Sequence, residues 1–284
     1  MSENKAITLN GVSETLFIPL YNRAMESQRP DAMIKDEKAM ALVKQMSLDF
    51  SRVKQIKMNA LLQAMRIIFT REMDRYARDF INRHTDAVVV HIGCGLDSRF
   101  ERVAERNGQV EWYDMDLPEV IELRRKFIGD EHDRYNLLAC SVLENDWMDS
   151  VKVHSKRPFL FLAETVFVYF TEAQVKSLVL KLRVHFSGAE LVFDGWRPFE
   201  VWIGNCHLSN SPYADLMQWG FWNSKEIERW GSPSTALGGI RLLDEWGFFD
   251  QPEPRLDSYR WMAPLFRLFK PMRLFHFQLG KATG

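Results

Sequence analysis

Two glycines and two carboxylates, each placed where an apolar run stops, are the residues of this sequence best suited to chemistry. Gly93 and Gly95 follow residues 87–92, whose β-branched character suits a strand covered on both faces. Lacking side chains, they permit a sharp turn and the close approach of a ligand. Asp116 closes a second run, Val110-Glu-Trp-Tyr-Asp-Met-Asp116. It stands about 20 residues beyond the glycines, where nucleoside-binding sheets hydrogen-bond a ribose diol. Glu164 closes a third run, Pro158-Phe-Leu-Phe-Leu-Ala163, which puts a carboxylate inside a crevice at strand carboxyl ends. Ser98 stands where a third glycine would complete the dinucleotide fingerprint, so the glycines alone do not specify a nicotinamide cofactor. These residues suit the binding of a nucleoside whose identity they leave open.

Positioning such groups takes strands that alternate with helices, and from residue 87 the apolar pattern has that form, which predicts a doubly wound, mostly parallel sheet. Asp97, Ser98 and Arg99 open a helix through Phe100, Val103 and Ala104, and Pro118 sits early in a second helix that ends near Gly129. Residues 135–142 read as a third strand, and Thr171 with Gln174 as a capping box. Residues 189–194 read as a fifth strand. Before the sheet, apolar spacing at three and four residues predicts helices up to about residue 83, punctuated by Pro30 and Asp31, with Asp36 as a candidate cap. Arg23, Arg29, Arg66 and Arg71 are basic residues of this preface, either solvated or turned inward toward an anionic group.

Between Gly195 and Gly231 the alternation breaks, and five of the nine tryptophans fall there: Trp196, Trp202, Trp219, Trp222 and Trp230. Such rings either pack an insertion on the sheet or form a lid over a flat apolar substrate. Residues 238–246 read as a helix and residues 274–279 as a final strand, with an antiparallel hairpin closing the sheet edge.

The 284 residues are 46% hydrophobic and 26% charged, with a formal net charge of −1, which disfavours nucleic acid and anionic membrane as partners. Cys94, Cys140 and Cys206 lie far apart and suggest neither a disulfide framework nor a metal site. The polar start Met1-Ser-Glu-Asn-Lys-Ala is unlike a signal peptide, and no apolar run reaches membrane-spanning length, so a cytoplasmic location is expected.

The runs Val90–Arg99, Trp112–Arg124, Cys140–Leu143 with Trp147, and Leu162–Tyr169 together resemble the leucine carboxyl methyltransferase family, above all its bacterial polyketide O-methyltransferase branch. The resemblance implies a class I (Rossmann-like) seven-stranded sheet. It divides the chain into a helical N-terminal extension (1–83) and an S-adenosyl-L-methionine-binding domain (84–284) carrying a lid insertion (196–235). It implies an S-adenosylmethionine-dependent O-methyltransferase acting on a small, apolar or aromatic methyl acceptor. Gly93, Cys94 and Gly95 would lie along the methionine part of the cofactor, supported by Asp97 and Arg99. Asp116, beside Leu117, would take the ribose hydroxyls, in preference to Asp114. Ser141, Val142 and Leu143 would flank the adenine. Glu164 would face the amino group and sulfonium, and Thr165 and Tyr169 would help position cofactor and methyl group.

Two departures stand out. Phe69 precedes Thr70 where relatives carry an arginine for the cofactor carboxylate, leaving Arg66 and Arg71 as alternatives, and Thr165 replaces a commoner glycine. Neither His91 nor His207 is assigned as a general base, which favours a carboxylate acceptor, already ionised, over a phenol. The readings from other classes are a cofactor-binding protein without transferase activity and a nicotinamide oxidoreductase.

Overall fold

The computed structural model describes residues 16–46, 60–105, 108–129, 131–208, 215–231 and 237–281. The expected preface is α1 (Phe17–Ser27), α2 (Glu37–Met46) and α3 (Ala60–Arg83). Asp36 caps α2, its Oδ1 accepting from the Ala39 amide at 2.8 Å. Then come β1 (Val88–Ile92), α4 (Arg99–Val103), β2 (Glu111–Asp116), α5 (Pro118–Phe127), β3 (Tyr135–Ala139), α6 (Asp146–Lys152), β4 (Phe159–Ala163), α7 (Glu172–His185) and β5 (Ala189–Gly195). The chain continues through α8 (Pro198–Leu208), α9 (Ser224–Glu228), β6 (Ile240–Trp246), α10 (Ala263–Phe269) and β7 (Arg273–Leu279). Pro118 opens α5, and Thr171 and Gln174 form both halves of a capping box on α7.

The sheet has seven strands in the order β3-β2-β1-β4-β5-β7-β6. The first five strands run parallel, and β7 lies antiparallel to both β5 and β6. Because β1 lies between β2 and β4, the winding reverses there and a crevice opens at the carboxyl ends of these strands.

Period-two alternation assigns the strand residues to two cores. Val88, Val90 and Ile92 join Phe159, Phe161 and the Val175, Leu178 and Leu182 face of α7, while Val89 joins Leu160, Leu162 and the Ile68, Met73, Ala77 and Phe80 face of α3. A third cluster packs Leu20, Ala24 and Leu42 of the preface against Leu96, Val120 and Leu123. The preface is thereby bound to the glycine turn and to α5.

Residues 240–246 are a strand, which corrects the helix read from residues 238–246. β6 is an edge strand with only Ile240 and Trp246 buried, and its pairing with β7 shifts register between Leu242 and Asp244. A bulge breaks period-two alternation and exposure weakens it, so the remaining apolar spacing imitates a helix.

Candidate active site

Gly93 and Gly95 adopt φ of +64° and +50°, the left-handed region that favours glycine, and a Cβ on Gly93 would overlap Val166. The turn is tied from three sides. The Cys94 amide donates to the Met115 carbonyl at 3.0 Å, and the Gly95 amide to Asp116 Oδ2 at 2.8 Å. Arg124, wholly buried on α5, donates to the carbonyls of Gly95 and Asp97 at 2.8 and 2.7 Å and to the Tyr135 hydroxyl and Asp114. The Cys94 side chain is buried in the α3-side core, which pushes its thiol pKa well up and leaves its backbone as the part bordering the turn.

Asp116 ends β2 half-buried, with Oδ1 accepting from the Leu117 amide at 2.7 Å and Oδ2 from Gly95. Burial raises its pKa, although the two amides lower it. Each carboxylate oxygen has room for a second donor, so the group fits a pair of neutral hydroxyls. Asp114, two residues earlier, is spent in the interior on Arg124, Tyr135, Trp112 and His91. Leu117 keeps exposed surface beside Asp116. The Cys140 amide donates to the Asp116 carbonyl at 3.0 Å, bringing the Ser141 turn alongside. Ser141 and Leu143 are partly buried, and the Val142 carbonyl accepts from the Trp147 indole at 3.2 Å.

Glu164 ends β4 with its oxygens divided between two donors. The Thr70 hydroxyl of α3 donates to Oε1 at 2.9 Å and Arg99 to Oε2 at 2.5 Å. Arg99 has no exposed surface and also donates to Asp74 at 2.8 Å, pairs with Asp97 at 3.2 Å and meets His91 Nε2 at 2.9 Å. Arginine can only donate, so Nε2 is an acceptor and the proton lies on Nδ1, aimed at Asp114 Oδ1 at 3.2 Å. His91 is therefore fixed as a structural link between two ion networks. Burial alone would raise the Asp97 carboxyl, but the charges of Arg102, Arg23 and Arg99 hold it well below the usual carboxylate range. Both Asp97 and Arg99 thus turn their charges into the network behind the turn.

Thr165 follows with φ of +55°, and its amide donates to Asp194 Oδ1 at 2.5 Å. Asp194 Oδ2 accepts from the Trp196 indole at 2.6 Å. A β-branched residue in this conformation carries about 1–2 kcal/mol of strain, and glycine returns about 0.5–1 kcal/mol in chain entropy. Thr165→Gly is accordingly expected to stabilise the fold by up to about 1 kcal/mol, read as a higher urea midpoint. A lower midpoint would mean that the Thr165 side chain holds the turn.

The tryptophans of this stretch divide into packed and exposed rings. Trp219 is buried and packs on Phe221, Phe193 and Trp230, whereas Trp202 and Trp222 are exposed. The amides of Gln218 and Trp219 donate to the Val168 carbonyl and the Gln218 side chain to that of Tyr169, so this stretch borders the turn after Glu164. The His207 side chain lies outside the described residues.

Asp74, Arg102, Arg124 and Asp194 are site-supporting residues that sequence reasoning missed. Each has a partner 10 to 66 positions away in the chain, beyond any local motif. A buried charge on a helix also reads like a solvated one until its neighbours are known.

Solved structures give this fold its class. A candidate methyltransferase of Thermobifida fusca shares 13% identity at a TM-score of 0.60, covering 98% of this chain and 99% of that one. The plantazolicin methyltransferase BpumL, solved with S-adenosylhomocysteine, shares 10% at 0.50, covering 94% and 98%. The fold is that of the class I methyltransferases. In sequence, residues 17–182 match the leucine carboxyl methyltransferase model. The tetracenomycin polyketide synthesis O-methyltransferase TcmP of Streptomyces glaucescens is 31% identical over 87% of each chain. The S-adenosylmethionine-dependent methyltransferase dpfgK of Gibberella zeae is 26% identical over 90% of this chain and 89% of its own. The chain belongs to the leucine carboxyl methyltransferase family, and is with it an S-adenosylmethionine-dependent methyltransferase.

Proposed function

We propose that this enzyme methylates an oxygen, a carboxylate or a phenolic hydroxyl, of a small apolar or aromatic molecule. The observation that carries the cofactor part of this reading is the row of adjacent strand ends. The glycine turn, Asp116 with spare acceptor capacity, the Ser141 turn and Glu164 follow β1, β2, β3 and β4, which are neighbours in the sheet. The positive φ of Gly93 and Gly95 turns the backbone sharply at the end of β1, which fits a ligand lying against the turn. In this reading Asp116 takes the ribose hydroxyls, Leu117, Val142 and Leu143 flank the adenine with Ser141, and the backbone of Gly93, Cys94 and Gly95 follows the methionine part. S-adenosylmethionine, when bound, supplies a methyl group on a cationic sulfur.

The chain's own work is positioning. Thr70 and Arg99 fix the Glu164 carboxylate toward a cationic ligand group, and Asp194 fixes Thr165 behind it. Tyr169 and the stretch carrying Trp219 border the same turn and serve as the near edge of an acceptor pocket, with residues 196–235 as its lid. Because His91 is locked between Arg99 and Asp114, it is unsuited to serve as a base. A carboxylate acceptor, ionised above about pH 4, requires none. TcmP, named for O-methylation in polyketide synthesis, supports a polyketide-like acceptor.

Calorimetry with S-adenosylhomocysteine and with NADH tests the cofactor reading. Binding of the first alone is expected, and binding of NADH alone would overturn it. Asp116→Ala is expected to weaken S-adenosylhomocysteine at least tenfold, about 1.4 kcal/mol. Transfer of labelled methyl groups to a panel of aromatic carboxylates and phenols tests the acceptor. Binding without transfer to any of them would instead favour a silent cofactor-binding role.

A further inference from the structure

We infer that Arg66 receives the α-carboxylate of the cofactor, in place of the arginine that Phe69 displaces; this rests on the cofactor reading above. Phe69 is buried with its ring against Trp246 and Phe248, at centroid distances of 5.9 and 5.1 Å, so it belongs to the core behind α3. Arg66 lies one helical turn before Thr70, and residues four apart share a helix face. That face is turned to the crevice, because the Thr70 hydroxyl bonds Glu164.

The other described arginines of the preface are engaged elsewhere. Arg23 is spent on Asp36 and the Leu96 carbonyl, Arg29 on Asp31, and Arg71 on Glu72 and Glu253. Arg75, Arg78 and Arg83 pair with Glu72, Asp74 and Glu190. Among the described residues Arg66 forms no such hydrogen bond or ion pair, yet it feels the charges of Tyr169 and Glu164.

Two properties show what kind of place Arg66 occupies. The side chain keeps exposed surface, but protein crowds it closely enough that burial lowers its guanidinium pKa, with Tyr169 and Glu164 only partly opposing. A cation that is solvent-accessible and incompletely compensated, on the helix face that carries Thr70 to Glu164, is poised for an anion. An amino-acid zwitterion carries its ammonium and carboxylate on one carbon. Glu164 and Arg66 offer the opposite charges in the same crevice without pairing with each other, because Glu164 is occupied by Thr70 and Arg99. Guanidinium forks suit carboxylates geometrically as well as electrostatically.

The test compares S-adenosylhomocysteine with 5′-methylthioadenosine, which keeps the nucleoside and sulfur but lacks the amino-acid end. By calorimetry, Arg66→Ala is expected to weaken S-adenosylhomocysteine about tenfold to a hundredfold, as loss of a charge-assisted bond implies. It is expected to leave methylthioadenosine within about twofold, while Arg66→Lys recovers part of the loss and Arg71→Ala loses nothing on either ligand. An unchanged S-adenosylhomocysteine affinity, an equal loss on both ligands, or a selective loss in Arg71→Ala would overturn the assignment. Failure of the wild-type protein to bind either nucleoside would remove the cofactor reading, and this inference with it.

Discussion

Arg99→Met is expected to lower the unfolding free energy by about 3–5 kcal/mol, the size associated with removing one partner of a buried ion network. Arg99 reaches no solvent, and its guanidinium is surrounded by Asp74, Asp97 and Glu164. The first two of these carboxylates are themselves buried. Burial alone would lower the arginine pKa, and the charges of Asp97, Glu164 and Asp74 reverse that and raise it. Removing the cation leaves Asp74 and Asp97 to Arg102 and Arg23 and frees one oxygen of Glu164. Arg99→Lys keeps a charge but cannot reach three acceptors with one ammonium, so an intermediate loss is expected. Urea unfolding of both variants measures this, and a loss below about 1 kcal/mol for Arg99→Met would show that the network adds no net stability. The consequence for binding separates from stability. Glu164→Gln leaves Arg99 with Asp74 and Asp97 and costs less fold, yet in the proposed reading it removes the anion that faces the cofactor.

What the sequence discloses and what it hides divide along the same line. Strand ends are legible because burial on both faces makes β1 and β4 continuous apolar runs, and whatever follows such a run lies at the sheet edge. Gly93 and Glu164 are readable for that reason, Asp116 and Ser141 from their places after the mixed runs of β2 and β3, and the order of the four carries the family resemblance. Caps were legible because Asp36, Pro118 and Thr171 act within a few residues. By contrast, β6 loses its period to a bulge and an exposed edge. The role of Arg124 depends on meeting Gly95 and Asp97, 29 and 27 positions back. Nothing near Arg71 in the sequence discloses that Glu253, far along the chain, pairs with it.

Stability should follow a shallow dome in pH, rising from pH 7 to about 5 and turning down only below about 4, because two buried carboxylates titrate in opposite senses. Asp194 is pushed up to about 6 by burial and by neighbouring Glu164, against the bonds from Thr165 and Trp196. Its folded pKa lies above the ordinary 3.8, so the native state binds the extra proton, and its ionised form weighs against folding at pH 7. Lowering the pH from 7 to 5 is therefore expected to add about 1 kcal/mol, out of about 3 kcal/mol available by pH 3. Glu190 behaves oppositely. Burial would raise its carboxyl, but His276 at 2.6 Å and Arg83 at 2.9 and 2.8 Å lower it to about 2. The resulting stabilisation, about 3 kcal/mol, is complete above the ordinary value of 4.5 and is lost as the pH falls toward 2. Asp194→Asn should remove the gain between pH 7 and 5 while keeping the acid downturn. Glu190→Gln should lower stability at pH 7 and flatten the acid limb, since the bridge from α3 through β5 to β7 no longer depends on an ionised carboxyl. Urea midpoints at pH 7, 5 and 3 decide the matter: an unchanged slope between pH 7 and 5 in Asp194→Asn would place the titrating group elsewhere, and an unaltered acid limb in Glu190→Gln would do the same for the second.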